Sequence, residues 1–234
     1  SRVERLEKLL EEHKRLVEDL IRLLDELAKK HDEDVRRLIE RLKELAERLK
    51  RLLERSGVEE ELLKRVDEAI KRIEDKLRRL EEHIKRVIDD IRRRLEELRE
   101  HSDRLIEEIR DRLRKRDDEE VLRTIIELLR RNMERVLRLI EEILKLLEEN
   151  LEVVKRLLED VLRILKRIAE EIESRLTDKR DVDRIREEIK KLIEDVRREI
   201  KRVEDKHKKD IDRVKEKLDR VRDRHEKMAE DSKR

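Results

Sequence analysis

Six histidines and two asparagines fall into four pairs, His13/His31, His83/His101, Asn132/Asn150 and His207/His225, each separated by 18 residues. Eighteen residues make five turns of an α-helix, so both members of a pair face one way, about 27 Å apart along the axis. Neutral imidazole carries one N–H donor and one acceptor nitrogen, and an asparagine amide carries both kinds of group. Such groups can satisfy one another in an apolar core until a proton removes the acceptor and adds a charge. The same imidazoles can also ligate a metal ion.

The elements that position them are helices. The chain has 234 residues, 58% of them charged, with no Pro, Cys, Trp, Tyr or Phe and one Gly. That composition belongs to long helices or coiled coils. The absence of cysteine excludes disulfides and thiolate metal sites. Net charge is only +2 with acids and bases interleaved, and no aromatic side chain is available for base stacking, which speaks against nucleic acid. No apolar run reaches the length of a membrane span and no signal peptide is evident. The chain is expected to be soluble, suited to cytoplasmic expression, with no natural localisation. No cofactor or small-molecule substrate is expected. A nucleophilic enzyme is not expected either, since the chain lacks Cys, a Gly-rich loop and any sign of a cleft.

Turn chemistry appears at three places: Ser56-Gly57, with Glu59 at capping-box spacing; Asp117-Asp118-Glu119-Glu120 after the basic Arg114-Lys115-Arg116; and Thr177-Asp178. These divide the chain into four helices of about 55 residues, at about 2–55, 58–115, 118–175 and 179–231. Short turns between helices of equal length impose antiparallel neighbours. The expected fold is thus all-α, one antiparallel four-helix bundle over 1–234. Two further spots imitate caps, around His31-Asp32 and around His101-Ser102, but apolar spacing runs through both. Helix continuity is expected there.

The period supports a nearly untwisted bundle. Helix 2 repeats Leu62/Leu80/Leu98, Ala69/Val87/Leu105, Ile73/Ile91/Ile109 and Leu77/Leu95/Leu113 at 18 residues. Helix 3 repeats Val121/Leu139/Leu157, Ile125/Ile143/Val161 and Leu128/Leu146/Ile164. An 18-residue period matches a straight helix, whereas heptads supercoil.

Residues at one height on antiparallel neighbours share a midpoint at the turn between them. The pairs His13/His101 and His31/His83 both centre on Gly57. His101/Asn132 and His83/Asn150 centre between Arg116 and Asp117, and Asn132/His225 and Asn150/His207 between Asp178 and Lys179. Two layers result: His13, His101, Asn132, His225 and His31, His83, Asn150, His207. On helix 2 the histidines lie off the middle of the apolar arc and reach in from its flank. One repeat further along, Leu49, Arg65, Ile168 and Ile189 form an apolar slot that only Arg65 does not suit.

Burial without a counter-charge depresses histidine pKa, so acid is expected to disassemble the protein between about pH 4 and 6.5, with six histidines contributing up to about 8 kcal/mol per pH unit. Two alternatives stand beside this. Three histidines from three helices can bind Zn²⁺ with one position open, although the asparagines are poor ligands and no carboxylate supports the layer. Alternatively, the layers only set helix register.

A partner surface is expected on helix 3, whose apolar arc is about 160° wide. The excess stripe is Leu122, Ile126, Leu129, Met133, Leu137, Ile140, Leu144, Leu147, Leu151, Leu158, Leu162 and Leu165, joined by Leu16 and Leu23, which break the repeat of helix 1 because Asp34 and Arg41 follow at 18 residues. An exposed stripe of that length favours self-association, as an oligomer or filament. The other reading is a rhombic bundle in which helices 1 and 3 meet across the short diagonal and cover it.

Taken together, the flat period, the aromatic-free Leu/Ile/Val core and the His/Asn layers resemble de novo designed helical bundles built from parametric backbones. More narrowly, they are similar to designed pH-responsive assemblies, including filament subunits. The resemblance implies subunits released on acidification through buried histidine networks.

Overall fold

In the computed structural model, which describes residues 1–176 and 178–233, four α-helices account for nearly the whole chain. They are α1 (Arg2–Arg55), α2 (Glu60–Lys115), α3 (Glu119–Arg175) and α4 (Lys179–Ser232). His31 lies within α1 and His101 and Ser102 within α2, so neither cap-like spot interrupts its helix.

Local chemistry explains the ends. Gly57 adopts φ +63°, the left-handed conformation that terminates α1. Ser56 does not cap α2: its hydroxyl donates back to the Leu52 carbonyl at 2.8 Å, completing the last turn of α1. The first turn of α2 closes instead on the Glu59 carbonyl, which accepts from Leu63 N at 3.1 Å. Asp118 caps α3, accepting the Val121 amide at 3.0 Å, and Arg116 grips the same carboxylate. Asp178 caps α4 through the Arg180 amide at 3.0 Å. Thr177, the other half of that expected cap, lies outside the described residues.

Contacts divide the chain into two compact units, each drawing a length from all four helices. The first comprises Ser1–Lys30, Ile88–Leu147 and Lys208–Arg234; the second comprises His31–Val87 and Glu148–His207. In the first, Arg110 of α2 bonds Glu11 of α1 at 2.7 Å, and Arg94 of α2 meets Glu142 of α3 at 3.8 Å. Arg222 of α4 bonds Glu141 of α3 at 3.2 Å, and Arg224 of α4 meets Glu12 of α1 at 2.8 Å. In the second unit, Lys43 pairs with Glu81, Lys76 with Asp160, Arg186 with Glu173 and Arg41 with Glu199. In the second unit Lys50 also meets Asp67, Arg65 meets Glu171 and Lys155 meets Glu204, so residue numbers rise on one helix as they fall on its sequence neighbour and the neighbours run antiparallel.

Leu and Ile at 18-residue intervals stay on one side of α2: Leu62, Leu80 and Leu98 are buried, as are Ile73, Ile91 and Ile109. In the first unit Leu6, Leu9 and Leu10 pack with Ile106, Ile109, Leu122, Ile125, Ile126, Leu129 and Ala229. In the second, Leu49, Ile168 and Ile189 are buried, while Arg65 lies exposed and bonds Glu171 at 2.8 Å. The odd member of that slot points out of the core.

α3 overturns one expectation. Every member of its excess stripe, from Leu122 to Leu165, is buried, as is Leu16, while Leu23 is half-buried. Among the described residues no large hydrophobic side chain is exposed. Meanwhile Val121, Leu128, Leu139, Leu146, Leu157 and Ile164, read from the repeat as core, are half-buried. The reason is that a wide apolar arc buries its centre, where the row Ile125, Ile143 and Val161 lies, and these two other rows mark its edges. α1 and α3 touch directly in each unit, through His13–Asn132 and His31–Asn150. That close approach is the rhombic arrangement, and it consumes the stripe.

Candidate functional site

The first unit holds a chain of polar groups in its apolar interior. Asn132 on α3 donates an amide N–H to His13 Nε2 on α1 at 2.7 Å. His13 Nδ1 lies 2.8 Å from His225 Nε2 on α4. Because Nε2 of His13 accepts, its Nδ1 carries the proton and donates to His225, which fixes the tautomers of both neutral rings. The rings stand edge to face, with centroids 4.9 Å apart. The second Asn132 N–H donates to Ser102 Oγ on α2 at 3.3 Å. Exposure is 0% for His13, 2% for His225, 4% for Asn132 and 2% for Ser102.

The second unit repeats part of this. Asn150 donates to His31 Nε2 at 2.6 Å, and His31 and His207 stand edge to face at 4.9 Å. Here a charge is present: Asp34 Oδ2 lies 3.1 Å from His207 Nε2 and 3.2 Å from Lys206 Nζ. The His207 contact is off line for a hydrogen bond, so distance and electrostatics define it. Asp34 is itself buried.

Of the expected layers, the structure brings together His13, Asn132 and His225 in one unit and His31, Asn150 and His207 in the other. It does not bring in the α2 histidines. His101 is half-buried, and its Nε2 accepts from Arg135 at 3.1 Å. His83 is half-buried on the same flank. α2 turns its apolar ladder of Leu95, Leu98, Ile106 and Ile109 inward, and the ladder position between Leu98 and Ile106 is Ser102. Sequence reasoning missed both Ser102 and Asp34: the spacing of α2 fits a phase through His101 as well as one through Ser102, and nothing in the order of α1 shows that Asp34 meets a histidine of α4.

Electrostatics follow burial. Desolvation, aided by the neighbouring His225, pushes His13 from 6.5 down to about 3. His31 falls to about 3 through desolvation and His207, with Asp34 opposing. His225 falls to about 4 through desolvation and the nearby Arg130. Desolvation and the cations Arg135 and Arg104 also lower His101. The unprotonated ring is favoured at each of these four.

Within the networks, Oδ1 of Asn132 and Oδ1 of Asn150 are buried without a hydrogen-bond partner. Among the described residues no three His, Cys, Asp or Glu side chains converge as a metal would need. Each network contains two histidines, so a three-histidine zinc site does not form from the expected layers. Among the described residues no helix is long and apolar enough to cross a membrane. These observations define the class: an all-α four-helix bundle with buried His/Asn hydrogen-bond networks. No family model, curated protein or solved structure matches the chain.

Proposed function

We propose that this chain is a designed, non-enzymatic helical bundle whose stability is switched by protonation of its buried histidines. The observation that carries this reading is His13, with 0% exposure and both ring nitrogens engaged. A proton on Nε2 replaces the acceptor that Asn132 needs with a second donor, and places a charge in an apolar interior.

A histidine held below 6.5 in the fold is neutral there at pH values where the unfolded chain binds a proton. Its stabilising contribution is complete above about pH 6.5 and declines as pH falls towards the folded value, about 3 for His13 and His31 and about 4 for His225. Three such groups give a slope of up to about 4 kcal/mol per pH unit, comparable over two units with the whole stability of a domain. Neither α2 histidine joins a network, so the slope is smaller than six buried rings would produce.

Urea titrations at pH 7.5 and at pH 5 test the switch. The midpoint should drop sharply at the lower pH with the cooperativity of the transition retained; equal midpoints would refute it. Self-association is part of the same proposal, but it has to use the charged exterior, because the apolar stripe of α3 is spent within the bundle. Sedimentation at neutral pH in low and high salt tests this: a species larger than one chain that dissociates with salt supports a charged interface, and a single-chain species in both removes it.

A further inference from the structure

We propose that the two histidine networks answer acid unequally, the first unit's network acting as the trigger and the second's giving way at lower pH, because Asp34 stands against His207 while nothing comparable stands against His225. This rests on the proposed pH switch and assigns its parts. The 18-residue repeat places Leu16 in the first unit where Asp34 stands in the second. Leu16 is buried and offers a protonated ring nothing. Asp34 offers a carboxylate 3.1 Å from His207 Nε2.

The charged surroundings differ in the same sense. Around the first network, α1 contributes Glu12, but Arg15 at 2.6 Å and Arg224 of α4 at 2.8 Å already hold its carboxylate. α3 contributes Arg130, whose charge opposes protonation of His225, and which is bound to Glu226 at 2.7 Å and to Glu230. α2 contributes Ser102, which carries no charge. Around the second network, α1 contributes Asp34, with Arg37 at 3.9 Å from it; α4 contributes Lys206 and His207; α3 contributes Asn150. α2 there has Ile84 at the repeat position of Ser102. Lys206 is the exposed competitor for Asp34, with 55% side-chain exposure, and an exposed ammonium ion yields the carboxylate at little cost to an imidazolium in the interior.

Hydrogen exchange read by mass spectrometry on the full chain, from pH 7.5 to 4.5 and corrected for intrinsic rates, separates the units. Amides in 13–27 and 132–144 should lose protection at higher pH than those in 35–50 and 154–165. The lag should be on the order of tenfold in protection near pH 5, the worth of one unit of pKa difference. Asp34→Asn, nearly isosteric, should abolish the lag, and Asp34→Glu should retain most of it. Simultaneous loss in the wild-type chain, or an unchanged lag in Asp34→Asn, overturns this inference while leaving the switch intact. Protection independent of pH in both units removes the switch itself.

Discussion

At the scale of the residue, His13 joins three helices through two ring nitrogens, so its removal is felt at both ends. His13→Leu leaves the Asn132 amide and His225 Nε2 buried without their partner. Each such group costs about 1–3 kcal/mol, so the urea midpoint at pH 7.5 should fall clearly. Replacing His13, Asn132 and His225 together with leucine removes the orphaned groups along with the partner. That variant should be at least as stable as the parent at neutral pH and should lose less stability on acidification. Parallel urea titrations at pH 7.5 and 5 read both effects; a triple variant that keeps the parent's full pH dependence would show that these histidines are not the sensors. The single serine facing Asn132 is a smaller contributor, since only one 3.3 Å bond ends on it.

At the scale of the element, helix ends can be tested apart from the networks. A Cβ added at Gly57 would meet nothing within 4 Å, so Gly57→Ala reports only the left-handed backbone at φ +63°. Its cost should be about 1–2 kcal/mol, and less for Gly57→Asn, which tolerates that conformation better. Asp178→Ala removes the acceptor of the Arg180 amide and should cost about 1 kcal/mol. Both losses should be the same at pH 7.5 and 5.5, because neither end touches a histidine. Denaturant midpoints at the two pH values check this. The face of each helix was less legible than its length. Leu98, His101 and Leu105 fit an apolar phase on α2 as well as Leu98, Ser102 and Ile106 do, and periodicity alone does not choose between phases one residue apart. Packing chose the second: Ser102 and Ile106 are buried, whereas Leu105 is half-buried and His101 finds an arginine partner and solvent at the edge.

At the scale of the whole molecule, the acid response is expected to be a property of protons alone. Adding Zn²⁺ or a chelator should leave the acid midpoint unmoved, since each network has two histidines and an asparagine rather than three histidines. A zinc-dependent rise in the urea midpoint at pH 7.5 would show otherwise. High salt should change the acid response little, because the groups that titrate are buried and weakly screened, whereas the surface ion pairs contribute little to stability in the first place.

Helix number, helix length, the places where the chain turns and the pairing of His13 with His225 and of His31 with His207 were determined by the sequence. They follow from local chemistry, from a 3.6-residue turn and from the symmetry of short connections, none of which needs a neighbour's shape. Tertiary structure alone decided which side of the wide α3 arc faces inward, that Ser102 and not His101 joins the first network, and that Asp34 sits against His207. Those outcomes depend on how closely α1 and α3 approach and on which side chains then compete for the same interior volume, and that competition is settled between helices.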